Sequence, residues 1–142
     1  MTKLYELPSP FENETGTILM LEPSWARAGE LRAQLLDESY PKPFVIDDGK
    51  SRFLYFNVRL MQSEMSLKAP NDLAIRYTQK MMAFLLFQPR PKRIVLIGLG
   101  GGSLIKFCYH KMPGTQLTAV ELDPNVIAFR DIAPQAPVHV LF

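Results

Sequence analysis

RIVLIGLGGGSLIKFCYHKMPGTQLTAVELDPNVIAFRD, residues 93–131, decides the fold. Arg93–Ile97 is a short apolar, β-branched run, the pattern of a strand buried on both faces of a parallel sheet. Gly98-Leu99-Gly100-Gly101-Gly102 follows at once. Ser103–Lys111 has the residues of a helix, closed by Met112-Pro113-Gly114. Gln116–Val120 is a second apolar strand and ends in Glu121-Leu122-Asp123-Pro124. Proline suits a first helical position and Asp123 suits the cap before it, so a further helix is predicted from Pro124.

Strand, glycine loop, helix, strand, acid, helix is a unit with specific physics. Glycines adopt positive φ and let the backbone come close to a ligand. The helix after the loop directs unpaired N–H groups and a partial positive charge at whatever sits above it. An acid at the end of the second strand can accept hydrogen bonds from ribose hydroxyls, and Glu121 follows Gly98 by about 23 positions, near the ~20 expected for that role. The combination points to a nucleoside-type cofactor. The dinucleotide fingerprint places its third glycine where Ser103 stands, whereas Gly98, Gly100 and Gly102 spell the G-x-G-x-G loop of S-adenosylmethionine-type folds. An NAD-linked half and a loop that merely turns the chain stay open, as does Glu121 as a solvated strand-end acid.

Working outward, Pro70-Asn71-Asp72 reads as a helix start with Asn71 or Asp72 as cap. Leu73, Tyr77, Met81, Phe84 and Leu85 then share a face, and the helix is expected to end near Gln88, before Pro89 and Pro91. FVIDDGKSRFLYFN, residues 44–57, reads as two strands around an Asp-Gly turn. Val58–Met65 is predicted as another strand, and together these give a small β-meander. Leu31, Leu35 and Leu36 mark a short helix within residues 24–38, and residues 1–16 read as polar and extended.

VLIGLGGGSL and AVELDPNVIAF, with FLYFN, RLMQSEM and the helix around Tyr77-Thr78-Gln79-Lys80-Met81, resemble the polyamine aminopropyltransferases, the spermidine synthase family, over roughly residues 44–131. The resemblance implies an α/β fold: a small N-terminal β-meander, then the start of a methyltransferase-like Rossmann domain with a doubly wound parallel sheet. Residues 1–43 are then an N-terminal extension, 44–69 the β-strand region, and 70–142 a linking helix and the first half of the nucleoside-binding domain. It implies decarboxylated S-adenosylmethionine, or S-adenosylmethionine, as co-substrate and a polyamine as acceptor. Gln62 would touch the nucleoside side, Gly98, Gly100, Gly101 and Gly102 would form the loop under the aminopropyl-sulfonium tail, Glu121 would hold the ribose, and Tyr77 would line the acceptor channel. A homo-oligomer is expected by resemblance.

The family loop carries an aspartate where Gly101 stands, and acids beside the tyrosine where Thr78 and Gln79 stand. Those acids attract cationic reactants, so the departures favour a methyltransferase or another acceptor. The family's catalytic aspartate lies on later strands. The segment 132–142 does not resemble the family's continuation, so a truncated chain or a non-catalytic remnant is expected, with catalytic residues unassigned. Only two strands of the Rossmann sheet are expected, which would leave Val95, Ile97, Leu117 and Val120 under-buried.

Composition narrows the rest. Across 142 residues, 47% hydrophobic and 21% charged argue against a wholly disordered chain. A net charge of +2 is too small for a nucleic-acid binder, which needs clustered basic groups. Cys108 is the single cysteine, so there is no internal disulfide, and a reducing compartment fits. Cys108, His110 and His139 lack ligand spacing, so no metal is expected. Apolar runs such as Met81–Phe87 fall well short of the roughly 20 residues a membrane span needs, and the N-terminus lacks a signal-peptide core. The expectation is a soluble cytoplasmic protein. Tyr77, on the apolar face of its helix, reads as a core residue ahead of a substrate contact, Cys108 reads as a small core residue, and Gln62 reads equally as an exposed strand residue or a ligand contact.

Overall fold

A computed structural model describes residues 1–131 and 139–141. The chain forms two units, Met1–Lys68 and Ala69–Phe142. The first is a five-stranded antiparallel meander whose strands lie side by side in chain order. They are β1 (Thr2–Pro8), β2 (Thr17–Pro23), β3 (Phe44–Asp47), β4 (Ser51–Asn57) and β5 (Leu60–Ser66). One helix, α1 (Ala28–Leu36), connects β2 to β3.

The β3–β4 hairpin forms where Asp-Gly predicts it. Gly49 takes φ +84°, and the Asp48 carboxylate accepts the N–H groups of Lys50 and Ser51 at 2.8 and 2.7 Å. In register across this hairpin, Phe44 and Tyr55 stack with ring centroids 5.4 Å apart. They join Ile18, Met20, Leu31, Leu35, Tyr40 and Ile46 in one core. Leu31 and Leu35 of the predicted helix face are buried, but Leu36 is exposed. The first 43 residues are not an extension ahead of this sheet. They supply β1 and β2, paired from Thr2↔Pro23 to Pro8↔Thr17, so residues 2–8 are extended as a bonded strand. A buried Glu22 on β2 accepts from the Tyr40 hydroxyl at 2.6 Å and pairs with Lys42 at 2.8 Å. Burial and this carboxylate together push the Tyr40 phenol well above its usual range.

In the second unit, α2 (Arg76–Met81) runs into a short 3₁₀ turn, Met82–Leu86. The helix starts later than Asn71 or Asp72. Ile75 caps it without a side-chain bond, while Asp72 N–H closes a turn onto the Ala69 carbonyl. The sheet that follows has β6 (Arg93–Ile97), β7 (Gln116–Val120) and β8 (His139–Leu141), all parallel and in that order. Among the described residues the sheet therefore has three strands where two were expected. Residues 132–138 and 142, which fell within that reading of the chain's end, lie outside the described residues.

Helices α3 (Ser103–Lys111) and α4 (Pro124–Ala128) are the crossovers. Leu99, Ile105, Cys108, Leu117 and Ala119 form the second core, with Ile94, Leu96 and Ile127 packed on it. The sheet thus buries one face. Leu117 is buried, contrary to expectation, because it points to the same face as Ala119, where α3 packs. Val95 and Ile97 point to the opposite face and are 64% and 93% exposed. The double burial expected for β6 therefore fails on that side.

Candidate functional site

The site grows from the end of β6. Gly98 N–H donates to the Val120 carbonyl at 2.7 Å, so the chain leaves the sheet still tied to β7. Gly98, Gly100 and Gly102 have φ of +89°, +53° and +73°. Left-handed backbone costs an L-residue with a Cβ roughly 1–2 kcal/mol, so these three positions call for glycine. Gly101 is not among the positive-φ glycines. Gly102 N–H bonds back to the Leu99 carbonyl at 2.9 Å, and Gly102 is the residue from which α3 begins.

Glu121, at the end of β7, reaches under this loop. Its Oε2 accepts from Leu99 N–H at 2.8 Å and from Gly100 N–H at 3.4 Å. Its Oε1 accepts from Asp123 N–H at 2.9 Å. One carboxylate therefore ties the loop after β6 to the loop after β7. Burial, with 9% of the residue exposed, would by itself raise the Glu121 pKa. The backbone N–H groups of Asp123, Leu99 and Gly100 outweigh that and hold it below the ordinary glutamate value. Asp123 caps α4, accepting from Asn125 N–H at 2.8 Å, as its place before Pro124 predicts.

The structure thus brings Glu121 against the Gly98–Gly102 loop. Tyr77 lies on α2 and is 51% exposed, which corrects its reading as a core residue. Gln62 lies on β5 of the first unit and is half-buried. Cys108 is fully buried, and burial pushes its thiol up to about 11, as befits an inert core residue. One participant was not anticipated. Leu99 serves through its backbone N–H, which side-chain identity does not advertise. Lys106, one turn into α3, is buried, and desolvation lowers its pKa. Among the described residues no His, Cys, Asp or Glu cluster could hold a metal, and no helix is long and apolar enough to cross a membrane.

Fold and site together define a mixed α/β protein with an antiparallel N-terminal sheet and a glycine loop latched by a carboxylate. The sequence is 40% identical over 91 residues to a polyamine aminopropyltransferase of Chromobacterium violaceum, covering 64% of this chain and 35% of that protein. It is 36% identical over 104 residues to the polyamine aminopropyltransferase of Neisseria meningitidis, covering 72% of this chain and 40% of that protein. The resemblance read from the motifs therefore holds: the chain is a relative of the polyamine aminopropyltransferases, and it spans less than half of their length. The crystal structure of a probable spermidine synthase from Corynebacterium glutamicum superposes with a TM-score of 0.52 at 19% identity, over 73% of this chain and 42% of that one. At that identity the likeness speaks for the fold. No family model matches the chain.

Proposed function

We propose that the second unit is the nucleoside-binding start of a methyltransferase-like Rossmann sheet, and that it holds decarboxylated S-adenosylmethionine, or S-adenosylmethionine, at the Gly98–Gly102 loop and Glu121. The observation that carries this is the ionised Glu121 held against Leu99 N–H beneath a left-handed glycine loop. The consecutive parallel order β6-β7-β8 supports it, since one half of a doubly wound sheet runs this way.

In the aminopropyl-transfer reading, supported by the relatives' names, a neutral amine of a polyamine attacks the methylene beside the sulfonium. The C–N bond forms, the C–S pair returns to sulfur as methylthioadenosine, and the amine's extra proton passes to a base. No residue of this chain is assigned to that base. By family resemblance alone, Gln62 would be a nucleoside contact and Tyr77 an acceptor contact. A homo-oligomer and a cytoplasmic location belong to the same proposal. Gly101, where by resemblance the family loop carries an aspartate, favours a second reading: binding of S-adenosylmethionine itself for methyl transfer.

Equilibrium titration of the purified chain with methylthioadenosine, decarboxylated S-adenosylmethionine and NADH tests the site. Glu121→Ala is expected to weaken the first two by about 10- to 100-fold, the value of hydrogen bonds to a charged partner. Unchanged affinity would remove Glu121 from the site. NADH binding that S-adenosylmethionine fails to displace would replace the reading with a dinucleotide one.

A further inference from the structure

Glu121 is gripped from two sides. Leu99 and Gly100 N–H hold Oε2 from the glycine loop, and Asp123 N–H holds Oε1 from the start of α4. We propose that Asp123 and Asn125 are positioning residues: the cap they form on α4 fixes the Asp123 N–H, which in turn aims the Glu121 carboxylate at the nucleoside. The inference rests on the nucleoside reading for its ligand.

The chain of contacts is short. Asp123 Oδ1 accepts from Asn125 N–H at 2.8 Å and from the Asn125 side-chain amide at 3.0 Å. The Asp123 carbonyl accepts from Val126 N–H at 3.1 Å and from Ile127 N–H at 3.3 Å. Side chain and carbonyl are thus both anchored to the first turn of α4, and Val126 seats that turn in the interior. Pro124 adds a steric limit, because a residue before proline is pushed to extended backbone, and Asp123 has φ −89° and ψ 110°. Leu122, between the two acids, is 92% exposed, so side-chain packing does not hold this stretch. The hydrogen bonds do.

A glutamate side chain turns about three bonds, and stilling them costs conformational entropy. A carboxylate held in advance meets a diol without that cost. Burial opposes the charge on Glu121, and of the N–H groups that offset it the Asp123 one contributes most. Oε1 is the fixed end of the grip. A ribose hydroxyl can replace Gly100 N–H, 3.4 Å from Oε2, and leave Oε1 undisturbed.

The test uses the intact chain and two readouts. Affinity for methylthioadenosine comes from equilibrium titration, and the Glu121 carboxyl is titrated without ligand by carbon-13 NMR. Asp123→Ala removes the cap acceptor and a negative charge, whereas Asp123→Asn and Asp123→Ser remove the charge and keep an acceptor. Asp123→Ala is expected to weaken methylthioadenosine by about 3- to 10-fold, the contribution of one hydrogen bond, and to raise the Glu121 pKa toward the ordinary glutamate value. Asp123→Asn and Asp123→Ser are expected to keep the affinity, with the Glu121 pKa at or below that of the wild type. Loss of a neighbouring negative charge alone lowers a carboxyl pKa, so the sign separates position from charge. Asn125→Ala leaves the backbone cap in place. It is expected to move both readouts as Asp123→Ala does, by less, and it decides the matter if Asp123→Ala does not fold. A cap that only starts α4 would lower the melting point of Asp123→Ala and leave both readouts of the folded protein at wild-type values. That result, or a Glu121 pKa that falls in Asp123→Ala as in Asp123→Asn, would overturn the proposal. A wild-type chain that binds no methylthioadenosine would sink the nucleoside reading, while the Glu121 titration would still decide whether the cap positions the carboxylate.

Discussion

Glu121 does two things with one carboxylate. It closes the glycine loop, and it is the group proposed to meet a ribose. A carboxylate offers about four lone-pair sites, and Leu99, Gly100 and Asp123 N–H already use three. A diol donating twice must therefore displace a donor, and the 3.4 Å bond from Gly100 is the weakest of the three. Because folding lowers the Glu121 pKa, the unfolded chain binds its proton more readily. The Glu121 contribution to stability is then fully present above the unfolded value of about 4.3 and is lost as pH falls through the lower folded value. Melting curves between neutral pH and pH 3 should show wild type and Glu121→Gln converging on acidification; a constant gap would deny the ionised latch. Gly98 gives a cleaner backbone test. A Cβ there would meet no atom within 4 Å, so Gly98→Ala should cost only the left-handed penalty of about 1–2 kcal/mol in urea denaturation.

Among the elements, Gly16 controls how β2 joins the sheet. Its φ is +137°, and a Cβ would collide with the Asp47 carbonyl on β3. Gly16→Ala combines backbone strain with overpacking against main chain and should cost about 2–5 kcal/mol, read as a lowered urea midpoint. The strand that follows Gly16 was not legible in the sequence. Residues 17–23 bury Ile18, Leu19 and Met20 in succession, so the period-2 alternation that marks a strand is missing. The available signal was the run TILML between Gly16 and Pro23. β1 was hidden by its mixed polarity and follows from β2 only once the two pair. By contrast, the β3–β4 hairpin and the β6-loop-α3-β7 unit were legible, because glycine at fixed points and β-branched runs state their geometry locally. Asn71 and Asp72 misled because such residues favour turns as well as caps, and here they make a turn. Of the site, the glycines and Glu121 were readable by spacing, whereas the Leu99 N–H is a backbone property.

Considered as a whole, the chain has one well-filled core in each unit and one sheet face left open. Ile97 and Val95 on that face contribute little burial, so Ile97→Thr should change stability by less than about 0.5 kcal/mol. The same change should reduce self-association in sedimentation velocity, since exposed apolar surface drives it. Increased association would argue that this face is covered by something other than a second copy. The order of the strands also bears on time. Every pairing of the first sheet lies within Met1–Lys68, and its strands join neighbours in sequence. Hairpins close in about 1–10 μs, whereas a ribosome adds a residue only every ~50–200 ms. The meander can therefore be complete while the glycine loop is still being translated, so a nascent chain would carry one finished sheet before the first strand of the other has left the ribosome.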